Sequence, residues 1–253
     1  MGCFDGPSGG KTMSKALLML GFLSAGLLTA WAADEKEVEE ALQKFKKGMA
    51  NPSAPARASA VAELATTKSE KTAAALGGLL GADTEPVRKA AALGLGGFTD
   101  YKKIVTPMLL AGLNANAKEP KVEEAIFQAL GKLDDDAALP TIHGYFEDKD
   151  AVVAAAALMS AAEIRNLSSI DLIVNLMKKY EKIDAQAKNG GGGGYGVNVP
   201  GGGGADPKQK LAKDVLPATV KAMQKISGEK WTTVKEWEIW WSKHKATFKI
   251  DNK

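Results

Sequence analysis

The sequence predicts an all-α fold: a right-handed α-solenoid of about five helical pairs closed by a terminal capping helix. Three observations carry this reading. Four twelve-residue segments superimpose without gaps: ARASAVAELATT (56–67), VRKAAALGLGGF (87–98), VEEAIFQALGKL (122–133) and VAAAALMSAAEI (153–164). Their starts lie 31, 35 and 31 residues apart, the self-similarity expected of stacked supersecondary units. Small or apolar residues recur at template positions 1, 4, 5, 8, 9 and 12, with Glu63 the exception at position 8 of the first segment, which is a helical period and not a strand alternation. Composition agrees. With 253 residues, 45% hydrophobic and 25% charged, and a net charge of only +3, the chain is neither a disordered polymer nor a multi-span membrane protein.

The first element reads as an address. Residues 16–30, ALLMLGFLSAGLLTA, form an uncharged apolar run preceded by Lys11 and Lys15 and followed by Ala30-Trp31-Ala32. A basic lead, an apolar core and small residues at the end are the parts of a secretory signal. Residues 1–32 are therefore expected to be a signal peptide cleaved after Ala32, and the mature chain to be periplasmic or extracellular, with no stable membrane insertion. Neighbouring motifs fail on spacing. The phosphate-loop pattern ending at Thr12 needs Gly where Asp5 stands, and the myristoylation pattern needs Ser or Thr where Gly6 stands. The chain has a single cysteine, so no disulfide framework or thiolate cluster is available, and Cys3 precedes the apolar run, so it is not a lipid-modified residue at the cleavage point.

The repeat array follows, expected over 33–228. Partner helices are expected near 72–80, 104–113, 138–146 and 170–180, and a fifth copy of the template, VLPATVKAMQKI, occupies 215–226. Turn chemistry separates the helices: Asn51-Pro52, Asp83-Thr84-Glu85-Pro86, Glu119-Pro120 and Asp134-Asp135-Asp136. Proline pre-sets a first helical turn, and Asp, Asn or Thr can cap it. Each pair leaves one apolar face uncovered, so stacking on the next pair completes the core.

Residues 35–226 resemble the HEAT-repeat family, in particular the short bacterial HEAT-like repeats of the phycobilin-lyase type. The resemblance is carried by the pattern Asp-x4-Arg-x2-Ala-x4-Leu, matched by Asp83, Arg88, Ala91 and either Leu95 or Gly96. Arg57 occupies the Arg88 column in the first repeat, while Glu123 and Ala154 occupy it in the third and fourth. The resemblance implies a helical pair and not a particular activity.

Two features depart from the repeat. Residues 189–207, NGGGGGYGVNVPGGGGADP, hold ten of the 27 glycines and read as a flexible insertion, or as an adhesive strip of Tyr195, Val197 and Val199 between glycine hinges. Residues 229–253 form a Trp-rich tail in which Trp237, Trp240 and Trp241 share one stripe of a helix predicted over 232–246. That stripe reads as the cap a solenoid needs on its last apolar face. The alternative is an exposed platform for sugars. The tail is similar to the Trp-rich extension that follows HEAT-like repeats in some exported bacterial proteins.

Chemistry is sparse. His143 and His244 are the only histidines, and no H-E-x-x-H pattern, calcium loop or G-x-S-x-G elbow occurs. No cofactor, no metal and no enzymatic activity are expected. From Asp206 onward eleven lysines face six acids, but the chain has only three arginines, so nucleic acid is not expected as a partner. The lysines are expected to give at most weak contact with anionic envelope polymers. The function that best fits is a non-catalytic protein-interaction scaffold of the bacterial cell envelope. Its partner-binding candidates are Arg57, Arg88, Lys89, Glu123, Glu124 and Lys132, at template positions 2, 3 and 11, expected to be exposed on the second helices. The fourth repeat, with Ala154 and Ala155 at positions 2 and 3, is expected to be the least specific part of that surface. The alternatives are a carbohydrate-binding module built on the Trp stripe and a bilin-lyase-like enzyme, the latter implied only by the family resemblance.

Overall fold

The computed structural model describes Gly2, residues 35–190 and residues 206–250. The expected signal segment (Gly2 apart) and the strip of Tyr195, Val197 and Val199 lie outside the described residues. Within them the chain forms eleven α-helices and no strand. Helix α1 covers 35–49. It is followed by α2 (Ala54–Leu64), α3 (Glu70–Gly77), α4 (Glu85–Leu95), α5 (Lys102–Ala115) and α6 (Pro120–Leu133). Then come α7 (Leu139–Gly144), α8 (Ala151–Ile164), α9 (Ser168–Gly190), α10 (Pro207–Ser227) and α11 (Val234–His244).

Many of the helices start where a proline or a capping side chain suits the first turn. Proline occupies the first turn of α2, α4, α6 and α10, where its missing N–H costs nothing. Ser69 and Thr72 form a capping box on α3, and Thr233 and Glu236 form another on α11. Asp150 caps α8 by accepting from the Val152 N–H. Asp135 accepts from the Ala137 N–H and from the Thr106 hydroxyl, so the Asp134–Asp136 run sets a turn. Helices α6 and α8 both end on a left-handed residue, Asp134 and Arg165, whose backbone turns the chain toward the next outer helix.

The helices form two layers. The template segments make an inner layer in which α2, α4, α6, α8 and α10 stack in sequence. The outer layer follows the same order: α3 packs on α5, α7 on α9, and α9 on α11. Between them runs one unbroken core from Val61 to Trp241. Fully buried Leu95, Ile126, Leu130, Leu158 and Ile226 come from the inner helices, and Leu76, Leu109, Ile142 and Met177 from the outer ones. Burying a side chain of this size contributes about 1.5–3 kcal/mol, enough in sum to hold short helices that would melt alone.

Small residues set the spacing of the inner layer. A Cβ on Gly96 would stand 2.8 Å from the Ala129 Cα, so α4 and α6 meet backbone to backbone. A Cβ on Gly131 would come within 3.2 Å of the Ser160 Cα, the same close approach one repeat further on. No helix among the described residues is long and apolar enough to cross a membrane.

Candidate functional site

The arginine column is a seam, not an exposed surface. Arg57 donates through Nε and Nη2 to the two oxygens of Asp83 at 2.9 and 2.6 Å, and through Nη1 to the carbonyls of Asn51 and Pro52 at 3.0 Å. It thereby ties the turn before α2 to the turn before α4. The guanidinium holds the Asp83 carboxyl at about 2, with the Thr84 N–H adding to the effect. Thus Asp83 pairs with the arginine of the preceding repeat, not with Arg88. One repeat on, Arg88 donates to Asn116 Oδ1 at 2.7 Å and reaches Glu119 at 3.5 Å. Asn116, itself buried, donates to the carbonyls of Leu80 and Gly112 at 2.7 Å.

The expectation that Arg57 and Arg88 are exposed is therefore corrected: their side chains are 15% and 16% exposed. Position 2 points at the following turn, where a long cation finds acceptors. Glu123, at the same position on α6, is likewise not exposed but buried. Its surroundings differ in sign: burial, with Asp148 and Asp150 nearby, pushes its carboxyl above the usual glutamate range, and Lys149 opposes them only in part. Lys89 and Glu124 are half-buried, and among the six candidates only Lys132 is exposed.

A broad concavity lies where the sequence promised least. A trough of about 870 Å³ runs along α8 between α6 and α10. Its floor is Ala151, Val152, Ala155, Ala156 and Met159, with the buried Ser160 hydroxyl, which has no hydrogen-bond partner. Glu124, Gln128 and Lys132 of α6 form one wall, and Asp214 of α10 stands on the other. The short side chains of α8 make the trough, because the walls on either side carry longer ones. A second hollow of about 390 Å³ shares Ala151, Val152 and Asp214 with it and extends it past Asp150 and Lys210. Lys225 pairs with Glu163 across the α8–α10 seam. Val152 is 49% exposed, an apolar side chain with no cover.

The tryptophans are covered. Trp237, Trp240 and Trp241 are all buried, and α11 lies on α9. Trp241 Nε1 donates to Asp171 at 2.8 Å, Lys245 reaches the same carboxylate at 2.8 Å, and Trp240 Nε1 donates to Glu229 at 3.3 Å. Trp240 is stacked with Trp241 and with His244, and Phe248 closes edge-on against both indoles. A sugar platform needs indole faces open to solvent, so the reading of this stripe as one is corrected.

Sequence reasoning missed one polar pair. His143 Nε2 lies 2.9 Å from Ser169 Oγ, joining α7 to α9. Ser169 is fully buried and burial lowers the His143 pKa, so this contact fastens two outer helices and offers no substrate-facing nucleophile. A histidine and a serine 26 residues apart gave no spacing signal. Among the described residues no group of three His, Cys, Asp or Glu could hold a metal ion.

Stacked helical pairs with a continuous two-layer core define the class: this is an α-solenoid. Residues 106–187, from within α5 to within α9, match the family model of HEAT repeats. The match covers the third and fourth pairs and the floor of the trough. No curated protein matches the chain.

Proposed function

We propose that this protein is a non-catalytic scaffold of the bacterial cell envelope that holds a polypeptide partner in the trough over α8. HEAT repeats generally serve as protein-interaction scaffolds, and here the matched segment contains the trough. The observation that carries the reading is the trough itself: about 870 Å³ of concave space with an uncovered alanine floor and polar walls. Solenoids present such surfaces on their inner helices. The envelope location rests on residues 16–30 with Lys11 and Lys15, the parts of an export signal. The absence of a catalytic role rests on the scarcity of histidine and on the burial of Ser169 beside His143.

A photo-crosslinking residue in place of Ala155, in the full chain expressed in its own cell, tests this. The expected result is a discrete crosslinked polypeptide in the envelope fraction that is lost when Gln128→Arg narrows the trough. Crosslinks to no polypeptide, or to one that Gln128→Arg leaves unchanged, would overturn the reading.

A further inference from the structure

The trough is electrically lopsided, and its asymmetry specifies more than an apolar ligand. At the N-terminal end of α8 five carboxylates gather: Glu124, Asp150 and Asp214 on the walls, with Glu123 and Asp148 behind them. Two lysines face this group, Lys149 and Lys210, and Lys210 is already held by Asp214 at 2.7 Å. At the other end stand Lys132 and the Glu163–Lys225 pair. Glu124 and Lys132 are eight residues apart on α6, about 12 Å along the helix.

The first two repeats show what the acidic end lacks. At template position 2, Arg57 and Arg88 each bring a cation to the acceptors of the next turn. At the third repeat the same position holds Glu123, buried and facing Asp148 and Asp150, and the cation is missing from the chain's own ladder. A second, independent feature points to a ligand in the same hollow. Ser160, 2% exposed, lines the trough with a hydroxyl that bonds to nothing. A helical serine ordinarily returns its hydroxyl to its own backbone.

The geometry points to a partner segment that is an amphipathic helix carrying Arg or Lys at one end, its apolar stripe on the alanine floor and its cation among Glu124, Asp150 and Asp214. This rests on the scaffold reading above and names the chemistry of the partner. Alanines along α8 leave room for a second helix to approach closely, as Gly131 does between α6 and α8. The carboxylates behind the wall add to the field at the mouth, where a guanidinium can displace water and bridge two acids.

The test uses the full chain and three fluorescein-labelled synthetic helices of about four turns, ~14 residues. They share one Leu/Met stripe and end in Arg-Arg, Gln-Gln or Glu-Glu. By anisotropy the Arg-ended probe is expected to bind about tenfold tighter than the Gln-ended one, and the Glu-ended one most weakly. The combined change Glu123→Gln with Glu124→Gln, which spares the caps Asp148 and Asp150, is expected to erase most of that advantage without altering the Gln-ended probe. Circular dichroism of that variant should match the parent. Equal binding of the Arg- and Gln-ended probes, both abolished by Gln128→Arg, would overturn the cation anchor and leave the trough reading standing. Binding of none of the probes would overturn the inference, and with no crosslinked polypeptide the scaffold reading falls too.

Discussion

The α2–α4–α6 face and the α6–α8–α10 face are built from one template, yet one is sealed and the other is open. In the first, Arg57 and Arg88 cross to the next turn, Gly96 lets two backbones touch, and the polar network closes on Asn116. In the second, the same column carries Glu123 and Ala154, the floor is alanine, and a trough of about 870 Å³ remains. The buried apolar positions are alike in both. What differs is position 2, whose side chain either reaches across the seam, as in Arg57 and Arg88, or stops short, as in Ala154. A repeat can thus keep its stability in one set of positions while another decides whether its surface is structure or site.

The comparison can be broken at α6, which belongs to both faces. Phe127 is fully buried there, edge-on to Tyr145 at 5.2 Å. Phe127→Ala is expected to cost about 3–5 kcal/mol in urea denaturation, and to lower both halves in one transition. Two separate transitions would show that the halves are independent bodies.

A smaller effect sharpens the contrast between sealed and open. Gly96→Ala places a methyl 2.8 Å from the Ala129 Cα and should cost about 1–2 kcal/mol. Ala155→Leu adds more atoms but projects them into the trough, and should change stability by less than about 0.5 kcal/mol. A comparable loss from both would mean that the trough is not open space.

The smallest effect is in pH. Asp83, held at about 2, contributes stability that is present above the ordinary aspartate range and is lost as pH falls toward 2. Glu123 has the opposite sign. Its raised pKa makes the folded state keep a proton that the unfolded chain releases, so stability falls as pH rises through and above the ordinary glutamate range. Asp83→Asn should therefore lower Tm at pH 7 and lose its effect on acidification. Glu123→Gln should raise Tm at pH 7 and converge with the parent near pH 4, whereas Asp83→Asn converges with it only as pH falls toward 2. Thermal melts from pH 7 down to about 2 check both slopes, and parallel curves for the two variants would refute the assignment.

The helical pairs, their order and most of their boundaries were legible because apolar periodicity and turn chemistry are local signals. The tail helix predicted over 232–246 is Val234–His244, and the fifth template at 215–226 lies inside α10. The sites were less legible. Arg57 and Asp83 are 26 residues apart, and nothing in the sequence says that the arginine points to the turn ahead and not to solvent. The alanine-rich fourth repeat reads from sequence as a weak specific surface, since a sequence records short side chains but not the longer neighbours that turn them into a floor.

By itself, then, the chain's sequence determined the class of helix, the pairing into repeats and the aromatic stripe of the tail helix, because each follows from which residues recur along a helical period. Only the tertiary structure decided which polar side chains became internal ties, that the indoles of the cap are covered, and where the concave face stays open. Those outcomes depend on what stands opposite each residue after stacking, a distance of one repeat in sequence and a few ångströms in space.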